Sequence, residues 1–312
     1  MIDFFDKLYT SIKNKNSFLD KIKFYSFLRF ITRLSINIII PFYLIITRYF
    51  NATKEENHNT INKRVVVSLT TIPERIGRTW IIIELMLRQT YTPDLIILWL
   101  SKKQFPSFEK LPKRLLGLRN SGLKIELIDE DIKSHKKYYY SLDRYKTDVI
   151  ITIDDDILYP SFLIEELIKL YKNYPEDVCC HRAVKIEYIN GKTTLMNNWT
   201  AIKDFNAHSD KIFFTSGGGT LFPPNTLHPE VMNKKEFISI CPFADDVWLN
   251  MMVKLNNKKV TKSSYYSELL PLVFFNDKKL SSVNDRLGLN DKQLYEVSKY
   301  IFGKYKCKLL DE

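Results

Sequence analysis

The sequence predicts an α/β fold with a mostly parallel, Rossmann-like central sheet. Over residues 64–182, short β-branched or apolar runs alternate with segments whose apolar residues have helical spacing. The predicted strands are 65–69, 95–100, 123–128 and 149–153, and the predicted helices are 76–89, 134–146 and 162–171. Since such sheets bind ligands beyond the carboxyl ends of their strands, the residues that follow each strand are the candidates for function.

The second half of the main domain, residues 183–312, loses this alternation and has a mixed α and β pattern. It contains a predicted turn at 188–194, short strands at 213–215 and 220–222, and a helix at 247–255. A chain of 312 residues with only 9 glycines and 12 prolines is long enough for a buried core and has little room for long flexible tracts. We therefore predict one main domain over 64–312, with halves 64–182 and 183–312.

A basic, aromatic-rich arm over residues 1–50 precedes this domain, and a polar linker over 51–63 joins the two. The arm carries eight basic and three acidic side chains, and its apolar run 34–47 has 14 residues. That run is shorter than the ~20 residues that a membrane-spanning helix needs. Basic residues mixed with aromatic ones favour an amphipathic helical arm that lies on a membrane surface. A helical extension that docks on the protein's own core is the alternative.

Charge and cysteine usage narrow the partners and the compartment. A net charge of +11 favours anionic partners, but the excess is richest in the arm and no nucleic-acid-binding motif is present, so nucleic acid is not predicted as a partner. No cleavable secretion signal is recognisable, and the cysteines match no zinc-binding spacing, so we expect reduced thiols in the cytoplasm. These cysteines are Cys179, Cys180, Cys241 and Cys307. The expected location is peripheral, on the inner face of the cell membrane.

Three consecutive carboxylates, Asp154, Asp155 and Asp156, directly follow the buried run 149–153. Adjacent acidic groups repel each other, and a divalent cation relieves that repulsion. Mg²⁺ and Mn²⁺ prefer carboxylate oxygens and usually share them with substrate phosphates. Alternation along the strand would place Asp154 and Asp156 on one side and Asp155 on the other. An idle, solvated acidic cap on the strand is the alternative.

A second acidic pair, Asp245 and Asp246, precedes the helical run 247–255. The pair suits an acidic first turn of a helix, where carboxylates are favourable for the helix dipole. A carboxylate at a helix start is also held rigidly, as a general base must be. The two interpretations are compatible.

Three further segments lie where a ligand would be held. Gly217, Gly218 and Gly219 are three of only nine glycines, so the backbone there is expected to be closely approached, either by a ligand or in a tight hairpin. Hydroxyls and a guanidinium follow the first strand, and a lysine pair opens the helix at 134–146; an ordinary loop and a solvated helix face are the alternatives. The residues of these two segments are Thr70, Thr71, Arg75, Lys136 and Lys137.

The ordered set of motifs resembles bacterial glycosyltransferases of the GT-A fold, and is most similar to family-two-like enzymes of surface polysaccharide assembly. The resemblance covers about residues 64–300. It rests on Ser-Leu-Thr-Thr-Ile-Pro-Glu-Arg at 68–75, Lys-Lys-Tyr-Tyr-Tyr at 136–140, Ile-Thr-Ile-Asp-Asp-Asp at 151–156 and Ala-Asp-Asp-Val-Trp-Leu at 244–249.

The resemblance implies a nucleotide-binding half, 64–182, an acceptor-facing half, 183–312, and roles for single residues. Asp154 and Asp156 would hold Mn²⁺ or Mg²⁺ in the family's Asp-X-Asp motif, and Asp246, paired with Asp245, would deprotonate the acceptor hydroxyl. The donor, most often a UDP-sugar in this family, would be bound by Thr70, Thr71, Arg75, Lys137, Asp154, Asp155, Gly217, Gly218 and Gly219. The acceptor would be a glycan or a lipid-linked glycan, with inversion at the anomeric carbon.

Two departures from the family pattern leave questions open. The acceptor-side pair is Asp-Asp where the family has Glu-Asp, so either carboxylate is a candidate base. All five histidines precede Asp245, so the metal-binding histidine that many relatives carry after that pair is missing. Either Asn290-Asp291 would substitute for it, or the metal would rely on the acidic motif, phosphates and water. Two rival functions remain: a metal-dependent phosphohydrolase that uses the same triplet, and an inactive membrane-associated scaffold that only binds the sugar nucleotide.

Overall fold

A large mixed sheet with helices on both faces forms the centre of the protein. The computed structural model describes residues 1–12, 18, 23–47, 61–203, 206–272 and 288–310, so residues 51–60 of the predicted linker lie outside it. Within these ranges the helices are α1 Ile2–Ser11, α2 Phe24–Thr47, α3 Ile76–Leu87, α4 Lys113–Leu116, α5 Lys136–Arg144, α6 Leu163–Asn173, α7 Lys234–Ile240, α8 Asp245–Leu255 and α9 Leu289–Tyr305. The strands are β1 Val65–Thr70, β2 Leu95–Ser101, β3 Leu123–Ile128, β4 Val149–Ile153, β5 Ile157–Leu158, β6 Val178–Cys180, β7 Ala183–Lys185, β8 Tyr188–Ile189, β9 Lys192–Thr193, β10 Thr200–Ala201, β11 Ala207–Ser209, β12 Ile212–Phe214, β13 Gly218–Phe222, β14 Val260–Lys262 and β15 Leu270–Pro271.

The described strands of the main sheet follow the order β11-β14-β6-β13-β4-β1-β2-β3. Strands β4, β1, β2 and β3 are parallel, β6 and β14 are parallel to each other, and β13 is antiparallel to both of its neighbours. Six of the eight strands therefore run in one direction, and only β13 and the edge strand β11 oppose them. The predicted α/β fold with a mostly parallel, Rossmann-like sheet is confirmed.

The first four strands lie in the order β3-β2-β1-β4, so the strand order reverses between β1 and β4. The crevice at such a reversal, beyond the carboxyl ends of the strands, is where open α/β sheets bind ligands. Because α5 precedes β4 and α8 precedes β14, both helices run back against their strands and begin at this same edge. The topology thus brings two helix starts and two strand ends together.

The predicted strands were recognisable because both faces of the sheet are covered. Along β1, Val65, Val67 and Leu69 are fully buried in the core formed with α3 and α6, whereas Val66 packs on the opposite face beside α5. Strands that are buried on both sides have continuous apolar runs in place of alternation. The predicted turn at 188–194 is the hairpin β8–β9, in which Asn190 and Gly191 have φ values of 52° and 73°.

The N-terminal segment forms two helices that pack on the main domain. Helix α2 has 24 residues, and an 18-residue window within it has a mean hydropathy of 1.8. The helix is therefore longer than the apolar run at 34–47, and by length and composition alone it is able to cross a membrane. The run at 34–47 is thus one part of a longer apolar helix. A single such helix near the N-terminus is weak evidence for a membrane protein.

Helix α2 also contains Pro41, which has no backbone N–H for the carbonyl of Asn37, four residues earlier. The guanidinium of Arg78, on α3, donates to that carbonyl at 3.0 Å and so replaces the missing helical hydrogen bond. The proline is thus accommodated by a contact with the main domain. All four cysteines are free, and three of them are buried.

Candidate functional site

The two acidic motifs meet at the carboxyl edge of the sheet, beside the reversal between β1 and β4. Asp154, Asp155 and Asp156 follow β4, and Asp245 and Asp246 form the first turn of α8. The motifs are about 90 residues apart in the sequence, and the order of the strands is what brings them together. This convergence defines the candidate site.

The three carboxylates of the triplet have different partners. Asp155 is buried and accepts hydrogen bonds from the hydroxyl of Thr71 and from Arg75 Nη1, the latter at 3.0 Å. The same Arg75 nitrogen lies 2.9 Å from Asp156 Oδ2, whereas Asp154 Oδ1 lies 2.7 Å from Lys137 Nζ. Strand β4 ends at Ile153 and the chain turns immediately after it, so the three carboxylates lie in a turn beyond the strand and not along it.

Burial dominates the electrostatics of Asp155. Burial raises the pKa of its carboxyl above the ordinary value of 3.8, and the charge of Arg75 opposes that rise. The hydroxyl of Thr71 also bonds to the hydroxyl of Thr79 at 3.1 Å, so the contact between β1 and the triplet is part of a small buried network. Asp155 is therefore engaged by the protein's own side chains, whereas Asp154 and Asp156 are more exposed, with 42% and 26% of their side chains accessible. A contact between Asp155 and a donor stays a prediction.

Lys137 joins the two acidic motifs. Its side chain is only 3% exposed, and its ammonium lies 2.7 Å from Asp154 Oδ1 and 3.1 Å from Asp245 Oδ2. Burial alone would lower the pKa of this lysine, but the carboxylates of Asp154, Asp245 and Asp246 raise it well above its ordinary range. The lysine thus remains charged and is engaged by the protein's own carboxylates. Contact between Lys137 and a donor phosphate stays a prediction.

A buried polar network fixes the helix that carries Lys137. The hydroxyl of Ser68, within β1, donates to the carbonyl of Lys137 at 2.5 Å. The indole N–H of Trp99 lies 3.1 Å from Ser68 Oγ and 2.9 Å from Ser141 Oγ, so β1, β2 and α5 share one set of hydrogen bonds. Sequence reasoning missed this network; its signal was two serines at positions otherwise expected to be apolar.

Asp245 and Asp246 are held by Ser216, which precedes the glycine run. The Ser216 hydroxyl donates to Asp245 Oδ2 at 2.7 Å, and its backbone N–H donates to Asp246 Oδ1 at 2.7 Å. The N-cap residue of α8 is Ala244, whose side chain makes no capping hydrogen bond. The carboxylates of Asp245 and Asp246 accept hydrogen bonds from Ser216, which lies outside the helix. The pair therefore does more than favour the helix dipole. Ser216 is a site residue that sequence analysis did not select.

The pKa values of these two neighbouring carboxyls are shifted in opposite directions. Burial would raise the pKa of Asp245, but the ammonium of Lys137 outweighs it and lowers that pKa below its ordinary value. Burial raises the pKa of Asp246, and the negative charge of Asp245 raises it further. Adjacent carboxyls whose pKa values are driven apart are typical of an acid–base pair, and Asp246 is the member with the higher proton affinity.

The glycine run packs directly against the acidic triplet. A Cβ atom on Gly217 would lie 1.8 Å from Asp154 Oδ2, so any side chain there would displace that carboxylate. Tyr159 links the same elements, because its hydroxyl accepts from the Asp154 N–H at 2.8 Å and donates to the Gly217 carbonyl. Gly218 and Gly219 belong to β13, and Gly219 has a φ of 90°, which favours glycine. The expected close approach is made by the protein itself.

Thr70 lies at the end of β1 and is tied to the next strand, since its hydroxyl donates to the Trp99 carbonyl at 2.8 Å. Thr71 and Arg75, as described above, hold Asp155. Contacts of Thr70, Thr71, Arg75 and the three glycines with a donor stay predictions.

The residues present suit a hard divalent cation that shares its ligands with a substrate. Among the described residues, no group of three or more His, Cys, Asp or Glu side chains is arranged to hold a metal. Asp154 and Asp156 offer carboxylate oxygens only, which suits Mg²⁺ or Mn²⁺ completed by phosphate oxygens and water. Asp291 was considered above as an additional metal ligand. Its Oδ1 accepts a hydrogen bond from the backbone N–H of Met196 at 2.8 Å.

No family model matches the chain, and no curated protein sequence matches it. Among solved structures, the fold is similar to that of CMP:2-keto-3-deoxy-manno-octonic acid synthetase complexed with CTP, with a TM-score of 0.43 and 9% identity over 73% of this chain and 99% of that chain. It is also similar to 4-diphosphocytidyl-2C-methyl-D-erythritol synthase, with a TM-score of 0.39 and 13% identity over 73% of this chain and 100% of that one. At such TM-scores and identities, the likeness indicates nothing about what this chain binds.

Proposed function

We propose that the chain is a metal-dependent, inverting glycosyltransferase of the GT-A type, which moves a sugar from a nucleotide-diphosphate donor to a glycan or glycolipid acceptor. The observation that carries the proposal is the pairing of two acidic motifs across one buried lysine, at the edge where an α/β sheet binds its ligands. One motif has the oxygens for a cation and the other has the carboxyl for a base.

Each motif has a separate task in this proposal. A divalent cation held by Asp154 and Asp156 would neutralise the charge that develops on the departing nucleotide diphosphate. Asp246, whose pKa is raised by burial and by Asp245, would accept the proton of the attacking hydroxyl. Lys137 keeps Asp245 ionised, and Arg75 fixes the position of Asp155 and Asp156.

The partners follow from the resemblance and from the charge of the N-terminal segment. The proposed donor is a UDP-sugar, and the proposed acceptor is a precursor of a surface polysaccharide or lipopolysaccharide. The proposed location is the inner face of the cell membrane, since basic and apolar residues alternate in the N-terminal segment.

Titration calorimetry with a panel of nucleoside diphosphates tests the donor site. We expect one nucleotide to bind in the presence of Mn²⁺, with binding lost in chelator and in Asp156→Ala. The matched control is Asp143→Ala, which removes an exposed carboxylate from the end of α5, and it should bind like the wild type. If no nucleotide binds under any metal condition, the proposal is wrong.

Turnover separates the proposal from its two rivals. Release of nucleotide that depends on an added glycan acceptor supports a transferase. Release at the same rate without any acceptor would indicate a phosphohydrolase. Metal-dependent binding without turnover on a broad acceptor panel would indicate the scaffold.

A further inference from the structure

Helix α2 has two apolar faces, and only one of them is covered by the protein. The buried stripe consists of Ile36, Asn37, Ile40 and Leu44. On the opposite side lies an outer face of exposed, uncharged side chains. Its members are Phe27, Phe30, Ile31, Leu34, Ile38, Phe42 and Ile46, exposed by 40–62%. We call this set the outer face of α2.

The buried stripe is fastened to the main domain by polar contacts as well as by packing. The side chain of Asn37 donates to the Pro271 carbonyl at 3.1 Å. Near the end of the helix, Arg88 donates to the Leu44 carbonyl at 3.0 Å and to the Thr47 hydroxyl at 2.5 Å. The half of α2 from Ile36 to Thr47 is therefore docked along its whole length.

This docking is incompatible with a helix that crosses a bilayer. A crossing α2 would carry Arg88 and the Pro271 carbonyl into the hydrocarbon, where charged and polar groups are costly. The half of α2 that precedes the buried stripe, residues 24–35, has a length of only about 18 Å, whereas the hydrocarbon core is ~30 Å thick. Arg29 in this half is held at the end of α1, since it donates to the Ile12 carbonyl at 2.7 Å.

We propose that α2 lies in the plane of an anionic phospholipid bilayer, with its outer face immersed and its buried stripe on the main domain. A contiguous exposed apolar face marks an interaction surface, and the outer face of α2 is made of seven such side chains. The charge of the segment points to a membrane, because residues 1–50 are strongly basic, and Lys7 and Lys23 are exposed on the described parts. The inference rests on the membrane part of the proposed function and specifies its geometry.

The same contacts place the candidate site beside the membrane. Asn37 binds the Pro271 carbonyl, and the next residue, Leu272, donates its N–H to the Asp156 carbonyl at 2.7 Å. Helix α1 reaches the same region, since Asp3 accepts from the N–H and the hydroxyl of Ser161 at 2.6 Å each. An in-plane α2 therefore holds the acidic triplet near the lipid surface, which suits an acceptor that is itself anchored in the bilayer.

Two measurements on the full chain test this geometry, and neither needs a nucleotide. The first is flotation with vesicles of phosphatidylcholine and phosphatidylglycerol. The double variant Ile38→Lys/Phe42→Lys should lose binding on the order of 100-fold, because each buried apolar side chain contributes at least a factor of ten. The control Phe302→Lys alters an exposed apolar residue on α9 and should float like the wild type.

The second measurement is the depth of labelled positions of α2 in the bilayer, determined by the quenching of fluorescence with brominated lipids. Single fluorophores are attached at Ile31→Cys, Ile38→Cys and Ile46→Cys in a Cys307→Ser background. An in-plane helix gives one shallow depth at all three positions. A crossing helix gives depths that differ by about 20 Å between the first and the last position.

Fluorophore depths that change steadily from position 31 to position 46 would overturn the proposal in favour of a membrane-spanning helix. Failure to float, combined with a dimer in sedimentation that the Ile38→Lys/Phe42→Lys variant abolishes, would overturn it in favour of an interface between two copies. Failure of nucleotide binding in calorimetry, with flotation and equal depths retained, would refute the proposed enzyme activity and leave the in-plane helix standing.

Discussion

Replacing Lys137 by methionine removes the one described cation that contacts both acidic motifs. Methionine keeps most of the length and apolar volume of the lysine stem, so the change is chiefly one of charge. Asp154 is partly exposed and is able to recover hydration, but Asp245 is buried and loses its ion pair. Removing one partner of a buried pair costs about 3–5 kcal/mol of the free energy of unfolding, because the other charge is left uncompensated.

The pH dependence of this loss has a definite sign. In the wild type, Lys137 holds the pKa of Asp245 below its ordinary value of 3.8, so the pair contributes stability above that value and loses it as the pH falls through the lowered pKa. In Lys137→Met, burial acts without the ammonium, and the pKa of Asp245 should rise instead. The variant is then most destabilised at neutral pH, and its deficit relative to the wild type shrinks as Asp245 takes up a proton.

Urea unfolding at a series of pH values measures both quantities. Lys136→Met is a matched control, since Lys136 is equally buried but, among the described residues, pairs with Asp131 alone, which is partly exposed. Its loss of stability should be smaller, and nucleotide binding should survive. Adding Asp245→Asn to Lys137→Met removes the stranded charge and should restore part of the stability at neutral pH. If Lys137→Met lowers the free energy of unfolding by less than about 1 kcal/mol, with no dependence on pH, the reasoning is refuted, because a contribution of that magnitude is typical of an exposed ion pair.

Two further substitutions test the geometry of the site. Gly217→Ala should abolish metal-dependent nucleotide binding in calorimetry, because its Cβ would displace the Asp154 carboxylate; Gly77→Ala, which meets nothing within 4 Å, is the control and should bind normally. Unchanged binding in Gly217→Ala would mean that Asp154 is not a ligand. Asp246→Asn should retain donor binding but lower the rate of transfer by ~10²–10⁴-fold. Undiminished transfer, or a product of retained configuration, would show that Asp246 is not the base of an in-line displacement.

The strands were predictable from the sequence because burial on both faces leaves a local signal. The run at 149–153 and the run at 123–128 coincide with β4 and β3 to the residue, and β1 differs by one. The helix predicted at 134–146 is shorter in the structure, since residues 133–135 form a tight 3₁₀ turn before α5 begins. Short-range periodicity therefore identifies which segments form strands and helices, and its errors lie mainly at the ends of these elements.

The arrangement of the site was less accessible, because it depends on contacts between distant positions. The sequence indicated that Asp154, Lys137 and Asp245 matter, but it gave no means of seeing that one ammonium lies between the two carboxylates. Ser216 and Tyr159 escaped notice for the same reason. The Ser216 hydroxyl binds a carboxylate that is 29 residues away, and the Tyr159 hydroxyl donates to a carbonyl that is 58 residues away.

The N-terminal helices show how a local pattern is changed by its surroundings. The apolar run at 34–47 was predicted to lie on a membrane or to dock on the core, and the structure shows α2 docking through one stripe and leaving another exposed. Helix α1 is held equally firmly: Asp6 is buried and accepts hydrogen bonds from the hydroxyls of Tyr265 and Ser267. Burial raises the pKa of Asp6, and those hydroxyl donors oppose the rise.

Through these contacts the N-terminal helices contribute to the stability of the main domain. Ile36, Ile40 and Leu44 are fully buried, and each contributes about 1.5–3 kcal/mol by the burial of its side chain. A chain without residues 1–47 would expose the apolar surface of α3 beneath them and would leave the Pro271 carbonyl without its partner Asn37. Because Leu272 next to that carbonyl holds the Asp156 backbone, the loss would reach the acidic triplet. The segment that contacts the membrane in our proposal is therefore also one of the supports of the candidate site, and both are best studied in the intact chain.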